Sequence, residues 1–153
     1  MVLCDACLVT ADLEVREITR VAAQDFLEEE WRLANQALFG KPFLWTYQGE
    51  FHLAAFQSDD QLLGVARFNI AEGVGKLLEL VVRADRRGEG IGGRLLSSFE
   101  RSCKERGCHK LYLDVASVNV GAKRFYQQHG WEFEGVMRRH WRKVDFENWC
   151  KWL

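Results

Sequence analysis

The segment Arg83-Ala84-Asp85-Arg86-Arg87-Gly88-Glu89-Gly90-Ile91-Gly92-Gly93-Arg94 gathers glycines and arginines in one short stretch. It follows a nearly continuous apolar run at 77–82. It precedes an apolar series at steps of four, Ile91, Leu95, Phe99 and Cys103. The spacing predicts a turn between a strand and a helix. Glycine permits a tight backbone and the close approach of a ligand. A helix start adds unpaired N–H groups and about half a positive charge, and Arg86, Arg87 and Arg94 add full charges. The chemistry this suits is the binding of phosphate or pyrophosphate. The plainer reading is a glycine turn with solvated arginines.

Two frames compete for the phosphate ligand. No Gly-Lys-Ser/Thr follows, so a nucleoside triphosphate loop of the Walker type is excluded. Gly88, Gly90 and Gly93 fit G-x-G-x-x-G, with Asp114 about 20 residues further on, which is the dinucleotide pattern of an NAD-dependent oxidoreductase. In that pattern the first glycine follows its strand almost directly, whereas here residues 83–87 intervene and most of the sheet lies upstream. The second frame is R-x-x-G-x-G, carried by Arg87, Gly90 and Gly92.

The elements around this turn set the fold class. A strand is expected at 13–18, then a helix at 21–38, where Leu27, Trp31, Ala34 and Leu38 share one face and Gly40 and Pro42 end it. Strands are expected at 51–57 and 62–70, joined as a hairpin. A Gly73–Gly75 turn leads to the run at 77–82, which reads as a central strand buried on both faces. After the helix from Ile91 to Cys103 come a strand at 111–115, a helix at about 119–129, and strands at about 131–137 and 146–152. Strand–helix–strand over 77–115 favours a parallel pair with a right-handed crossover. The expected class is α/β with a mixed sheet of about 6–7 strands flanked by about 3–4 helices. Residues 1–11 read as a short extension and 12–153 as a single domain.

At Leu80-Val81-Val82, Arg87, Gly90 and Gly92 the chain resembles the GNAT superfamily of acetyl-CoA-dependent N-acetyltransferases. Asn119, Ala122, Phe125, Tyr126, Gly130 and Trp131 match the family's second motif, N-x-x-A-x-x-F-Y-x-x-x-G-[F/W]. The element order agrees over about 12–153. The resemblance implies an acyl-CoA N-acyltransferase fold and acetyl transfer from acetyl-CoA to a primary amine by direct attack in a ternary complex. The alternative is a non-catalytic acyl-CoA-binding or sensing module of the same fold.

The resemblance also implies roles. Backbone amides of residues 87–93, among them Arg87, Gly88, Gly90, Gly92 and Gly93, would cradle the pyrophosphate of coenzyme A. The main chains of Leu80 and Val82 would pair with its pantetheine arm between splayed strands. Asn119 would contact pantetheine or a water, or simply cap its helix. Tyr126 stands where the family keeps its general acid, with a core tyrosine as the plain alternative. Glu79 is a candidate base or amine anchor, the alternative being a strand charge paired with an arginine. Lys76 stands near a place where relatives carry an acid. The acceptor side draws on Trp31, Phe39, Trp45 and Tyr47 and on Arg139, His140 and Trp141, aromatics that equally suit a core. Glu28, Glu29 and Glu30 could attract a cationic amine or form a solvated face.

Composition narrows the remaining classes. The 153 residues are 48% hydrophobic and 28% charged, with a net charge of −1, so no global positive field points to nucleic acid. No apolar window spans a membrane, and the start lacks the order of a signal peptide, so a cytoplasmic protein is expected. Five cysteines without such a signal read as free thiols. Cys4 and Cys7 form C-x-x-C without a second pair, and His52, His109, His129 and His140 lack ligand spacing, so no metal is implied. A homodimer is possible.

Overall fold

The computed structural model describes residues 16–41, 47–57 and 61–153. They belong to two compact units, one ending at Leu44 and one of Trp45–Leu153. The first holds helix α1 (Arg20–Phe39). It stops at Gly40, where φ is 72°, with the Gly40 N–H donating to the Gln36 carbonyl at 3.0 Å. The expected strand at 13–18 lies mostly outside the described residues, and residues 16–19 have no regular structure.

The second unit runs β1 (Tyr47–Phe56), β2 (Leu62–Ala71), β3 (Val74–Val82), α2 (Ile91–Glu105), β4 (Lys110–Ala116), α3 (Val120–Gln128), β5 (Glu132–Trp141) and β6 (Val144–Trp152). The strands form one sheet in the order β1-β2-β3-β4-β6-β5. Only β3 and β4 are parallel. A parallel pair needs a crossover, and α2 supplies it. This is the mixed sheet that the element order predicts.

Leu95, Leu96, Phe99 and Cys103 form the buried stripe of α2. They join Ala66, Phe68 and Ile70 of β2, Leu77 of β3, and Leu111 and Leu113 of β4 in one core cluster. Phe99 meets Phe68 edge-on at 4.9 Å and stacks near Trp131 at 6.3 Å. Burying each such side chain contributes about 1.5–3 kcal/mol. A β-carbon on Gly75 would stand 2.6 Å from Cys103 Sγ and 2.9 Å from Leu111, so only glycine admits α2 this close to β3.

Two expectations are corrected here. The run at 77–82 is not buried on both faces: Leu77 enters the α2 core, whereas Glu79 and Val81 are exposed. The hairpin into β3 turns at Glu72–Gly73, with φ of 53° and 71°, so the strand begins at Val74 rather than beyond Gly75. Both values suit a tight two-residue turn. The β5–β6 hairpin turns likewise at Arg142–Lys143, φ 50° and 63°, and both strands run longer than their composition suggested.

Two irregularities of β3 prepare a site. Arg67 pairs with Glu79 and Phe68 with Leu77, so Leu78 is the extra residue of a β-bulge. The parallel ladder runs from Val74 opposite Lys110 to Leu77 opposite Leu113 and stops. Beyond it, residues 78–82 and 114–116 no longer pair with each other, and the sheet forks.

Candidate active site

A cavity of about 760 Å³ opens beside this fork. Its β3 wall is Leu80, Val81 and Val82. The Arg83 N–H donates to the Leu63 carbonyl at 2.9 Å, so the amides of 83, 81 and 79 face β2. Alternation along a strand turns the N–H and C=O of Leu80 and Val82 the other way, toward the cavity. The Val82 carbonyl accepts from Arg87 Nε at 3.2 Å. This edge offers main-chain donors and acceptors to an extended ligand.

The opposite end of the cavity is the glycine turn and the start of α2. Gly88 and Gly90 hold φ of 84° and 79°, a region that suits glycine. Gly90 is the N-cap of α2, with no side-chain cap and no acidic residue in the first turn. The N–H groups there face the cavity uncapped, and the helix dipole favours an anion. The loop's own acids balance two of its arginines. Arg86 grips Glu89 at 2.8 and 2.9 Å and Gln57 at 2.5 Å, and Arg83 grips Asp85 at 3.1 and 2.9 Å. The Arg86 guanidinium holds the Glu89 carboxyl below its usual range.

α3 closes the third side. Asn119 Oδ1 accepts from the Ala122 N–H at 3.1 Å, so Asn119 caps the helix and lines the cavity as well. Lys123 pairs with Glu147 of β6 at 2.8 Å. Lys151 donates to the His129 carbonyl at 2.9 Å and pairs with Glu100 of α2, which also accepts from Trp131 Nε1 at 2.9 Å. These ties fix Tyr126, whose ring packs against Phe125 at 5.2 Å and Trp131 at 5.8 Å. Burial pushes the Tyr126 phenol up to about 12, because the phenolate loses its hydration there. At ordinary pH it rests as the phenol.

The two glycines inside α2 have different reasons. A β-carbon on Gly92 meets Phe125 at 3.6 Å and Val82 at 3.7 Å, ordinary contact. One on Gly93 would lie 2.9 Å from His129 Nε2. That imidazole cannot easily retreat. Its Nδ1 lies 2.8 Å from the Phe125 carbonyl, which only accepts, so Nδ1 carries the proton, and its ring packs on Phe125 at 4.4 Å. Gly93→Ala is therefore expected to destabilise by about 1–3 kcal/mol through overpacking, or on the order of 3–10 °C in melting temperature. Gly92→Ala should leave it within a few degrees, and His129→Ala should recover most of the Gly93→Ala loss. Equal melting temperatures for the two glycine variants would contradict this assignment.

Leu80, Val82, Arg87, Gly88, Gly90, Gly92, Gly93, Asn119 and Tyr126 thus all line one cavity. Glu79 does not. It stands on the other face of the sheet, bonded to Arg67 at 3.1 Å. Sequence reasoning gave no wall role to Ala122, Phe125 or His129. The spacing of four between Phe125 and His129 on a helix was the available signal. Tyr47 and Trp141 are exposed and line no part of the cavity, and Trp31 and Phe39 belong to the separate unit that holds α1. Trp45, Cys4 and Cys7 lie outside the described residues. Cys103, Cys108 and Cys150 are buried free thiols, and burial raises the pKa of each. No cluster of metal-ligating side chains and no helix long and apolar enough to cross a membrane occurs among the described residues.

A forked β3–β4 pair, a glycine loop capping α2 and a tyrosine from α3 thus meet around one cavity. Residues 14–131 match the acetyltransferase (GNAT) family, and the chain belongs to that family. It is 27% identical over 121 residues to the uncharacterized protein YdhI of Bacillus subtilis (strain 168), covering 78% of this chain and 72% of that protein. Its fold is shared with an acetyltransferase from Bacillus cereus ATCC 14579 at 22% identity, TM-score 0.67, covering 92% and 98% of the two chains. The ribosomal-protein-S18-alanine N-acetyltransferase of Escherichia coli superposes with TM-score 0.61 at 20% identity, over 67% and 70%. A Bacillus anthracis str. Ames protein assigned as a streptothricin acetyltransferase, solved in complex with acetyl coenzyme A, gives TM-score 0.64 at 18% identity, over 68% and 62%.

Proposed function

We propose that this acetyltransferase moves the acetyl group of acetyl-CoA to a primary amine by direct attack within a ternary complex. The observation that carries the reading is a cavity bounded together by the main chain of Leu80 and Val82, the uncapped start of α2 and Tyr126. Its main-chain edge at one end and its uncapped amides at the other suit one ligand with an amide-bearing arm and a diphosphate. The amides of 87–93 would hold the diphosphate, and Arg87 would leave the Val82 carbonyl as the pantetheine arm pairs there. The solved complex of the related Bacillus anthracis protein with acetyl coenzyme A supports the same ligand. Residues 12–153 would work as one domain, in the cytoplasm.

The step proceeds as follows. The amine nitrogen bonds to the thioester carbonyl carbon and gives a tetrahedral intermediate. Its collapse breaks the C–S bond, and the electron pair leaves on sulfur. Tyr126 supplies a hydrogen bond or proton to that sulfur, an aid of ~10²–10⁴-fold for a placed acid. The amine must arrive neutral, which for a lysine-like group costs about 4.6 kcal/mol at pH 7. Glu79, one residue past the bulge, would take the proton or anchor the amine, exchanging Arg67 for the incoming ammonium.

The test follows released thiol on mixing protein, acetyl-CoA and a panel of amines. Thiol release is expected to depend on an amine, with one acetyl group gained by that amine for each thiol. Binding of acetyl-CoA without transfer to any amine would favour a non-catalytic binding module instead.

A further inference from the structure

The sheet face away from α2 carries paired charges at the fork. Arg67 and Asn69 point the same way on β2, so their partners Glu79 and Lys76 share that face, spaced by three because Leu78 is the bulge. Tyr112 stands opposite Lys76 on β4, and Asp114 lies two residues on, on the same face. Asp114 is the first β4 residue past the last paired position, Leu113. Lys76 Nζ reaches its Oδ2 at 2.7 Å, and the ammonium sits 5.1 Å from the Tyr112 ring centroid. The pair is largely withdrawn from water, with side chains 27% and 18% exposed. Beside it Arg67 holds both Glu79 at 3.1 Å and Glu50 at 3.3 Å.

We propose that Lys76 and Asp114 select the acceptor, and that the acceptor is an amine also carrying a carboxylate, of the α-amino-acid type. The proposal rests on the acetyl-transfer reading above. An ammonium bound to Asp114 stands where the strands begin to part, at the base of the fork, and the thioester would lie there. Binding there releases Lys76, a flexible, strongly hydrated point charge that needs a new anion. The acceptor's own carboxylate supplies it, so one ion pair becomes two. An amine without a carboxylate leaves the Lys76 ammonium beside a second cation. The neighbouring acids do not relieve this: Arg67 spans Glu79 and Glu50, and an amine that takes Glu79 from Arg67 adds no anion beside Lys76. A polyamine is disfavoured for the same reason.

The experiment compares α-amino acids, the amides of the same amino acids and the amines lacking the carboxylate, reading kcat/KM from released thiol. The free acids should be preferred by at least ~10-fold, the scale of one charged hydrogen bond. Lys76→Met should reduce that preference to about threefold or less, and Lys76→Arg, which keeps the charge, should preserve most of it. The melting-temperature shift with acetyl-CoA should be the same in all three proteins. A merely structural ion pair would change stability in Lys76→Met without changing the preference. Wild-type preference for amides or simple amines, or an unchanged preference in Lys76→Met, overturns the selection by Lys76 and leaves acetyl transfer standing. Failure of acetyl-CoA to bind, or turnover of no amine at all, overturns the transfer reading and this inference with it.

Discussion

Tyr126→Phe is expected to lower kcat by ~10² or more while leaving acetyl-CoA binding unchanged. The substitution removes one hydroxyl and keeps the ring that packs on Phe125 and Trp131. Stability should move by no more than ~1 kcal/mol, the net worth of one hydrogen bond. Residual turnover is expected, since a thiolate can leave unassisted. The pH profile adds a second readout. Burial holds the phenol near about 12, so it stays protonated while a lysine-like amine of pKa ~10.4 loses its proton. Wild-type kcat/KM should therefore rise toward alkaline pH, with no fall from tyrosine ionisation below about pH 11. Stopped measurements of released thiol, under conditions where chemistry limits the rate, check both points. A Tyr126→Phe enzyme with wild-type kcat would remove Tyr126 from the reaction.

The second large effect concerns the N-cap of α2. Gly90 has φ 79° and nothing within 4 Å of an added β-carbon, so conformation rather than space opposes substitution. A β-branched residue is a true outlier there, and the left-handed region costs an ordinary residue about 1–2 kcal/mol. Gly90→Val should shift the loop and turn its amides from the diphosphate, with acetyl-CoA affinity falling more than ~10-fold, or 1.4 kcal/mol. The fold should survive, because Gly90 is exposed and outside the core. Gly90→Asn, which tolerates positive φ, should keep most of the affinity. Titration calorimetry on the three proteins decides it; equal affinities would reduce the loop to a connection between β3 and α2.

The sequence made the residues that line the cavity legible because they are local. The glycine turn, Asn119 and Tyr126 each sit at a fixed spacing on one helix or its cap, and local spacing survives folding. The far side depends on register between strands distant in sequence. The bulge at Leu78 puts Lys76 and Glu79 on one face three residues apart, which a period of two cannot foresee. The Lys76–Asp114 pair exists only because a parallel ladder sets Leu77 opposite Leu113. The apolar run at 77–82 misled for a related reason. Its composition matches a doubly covered strand, but Arg67 on β2 gives Glu79 a partner on an exposed face. The late hairpin was underestimated because Arg142 and Lys143 take positive φ without glycine or asparagine to signal it.

The central claim is that the cavity between β3, the α2 N-terminus and α3 is a coenzyme A site. Thermal unfolding of the unmodified chain, alone and with acetyl-CoA or NAD, tests it most directly. At 100 times its dissociation constant, a ligand of the folded state adds about 2.7 kcal/mol, or on the order of 5–10 °C for a chain of this size. Acetyl-CoA should raise the melting temperature by that amount and NAD should not. A rise with NAD and none with acetyl-CoA would mean that Gly88, Gly90 and Gly93 serve a dinucleotide, and would contradict the account.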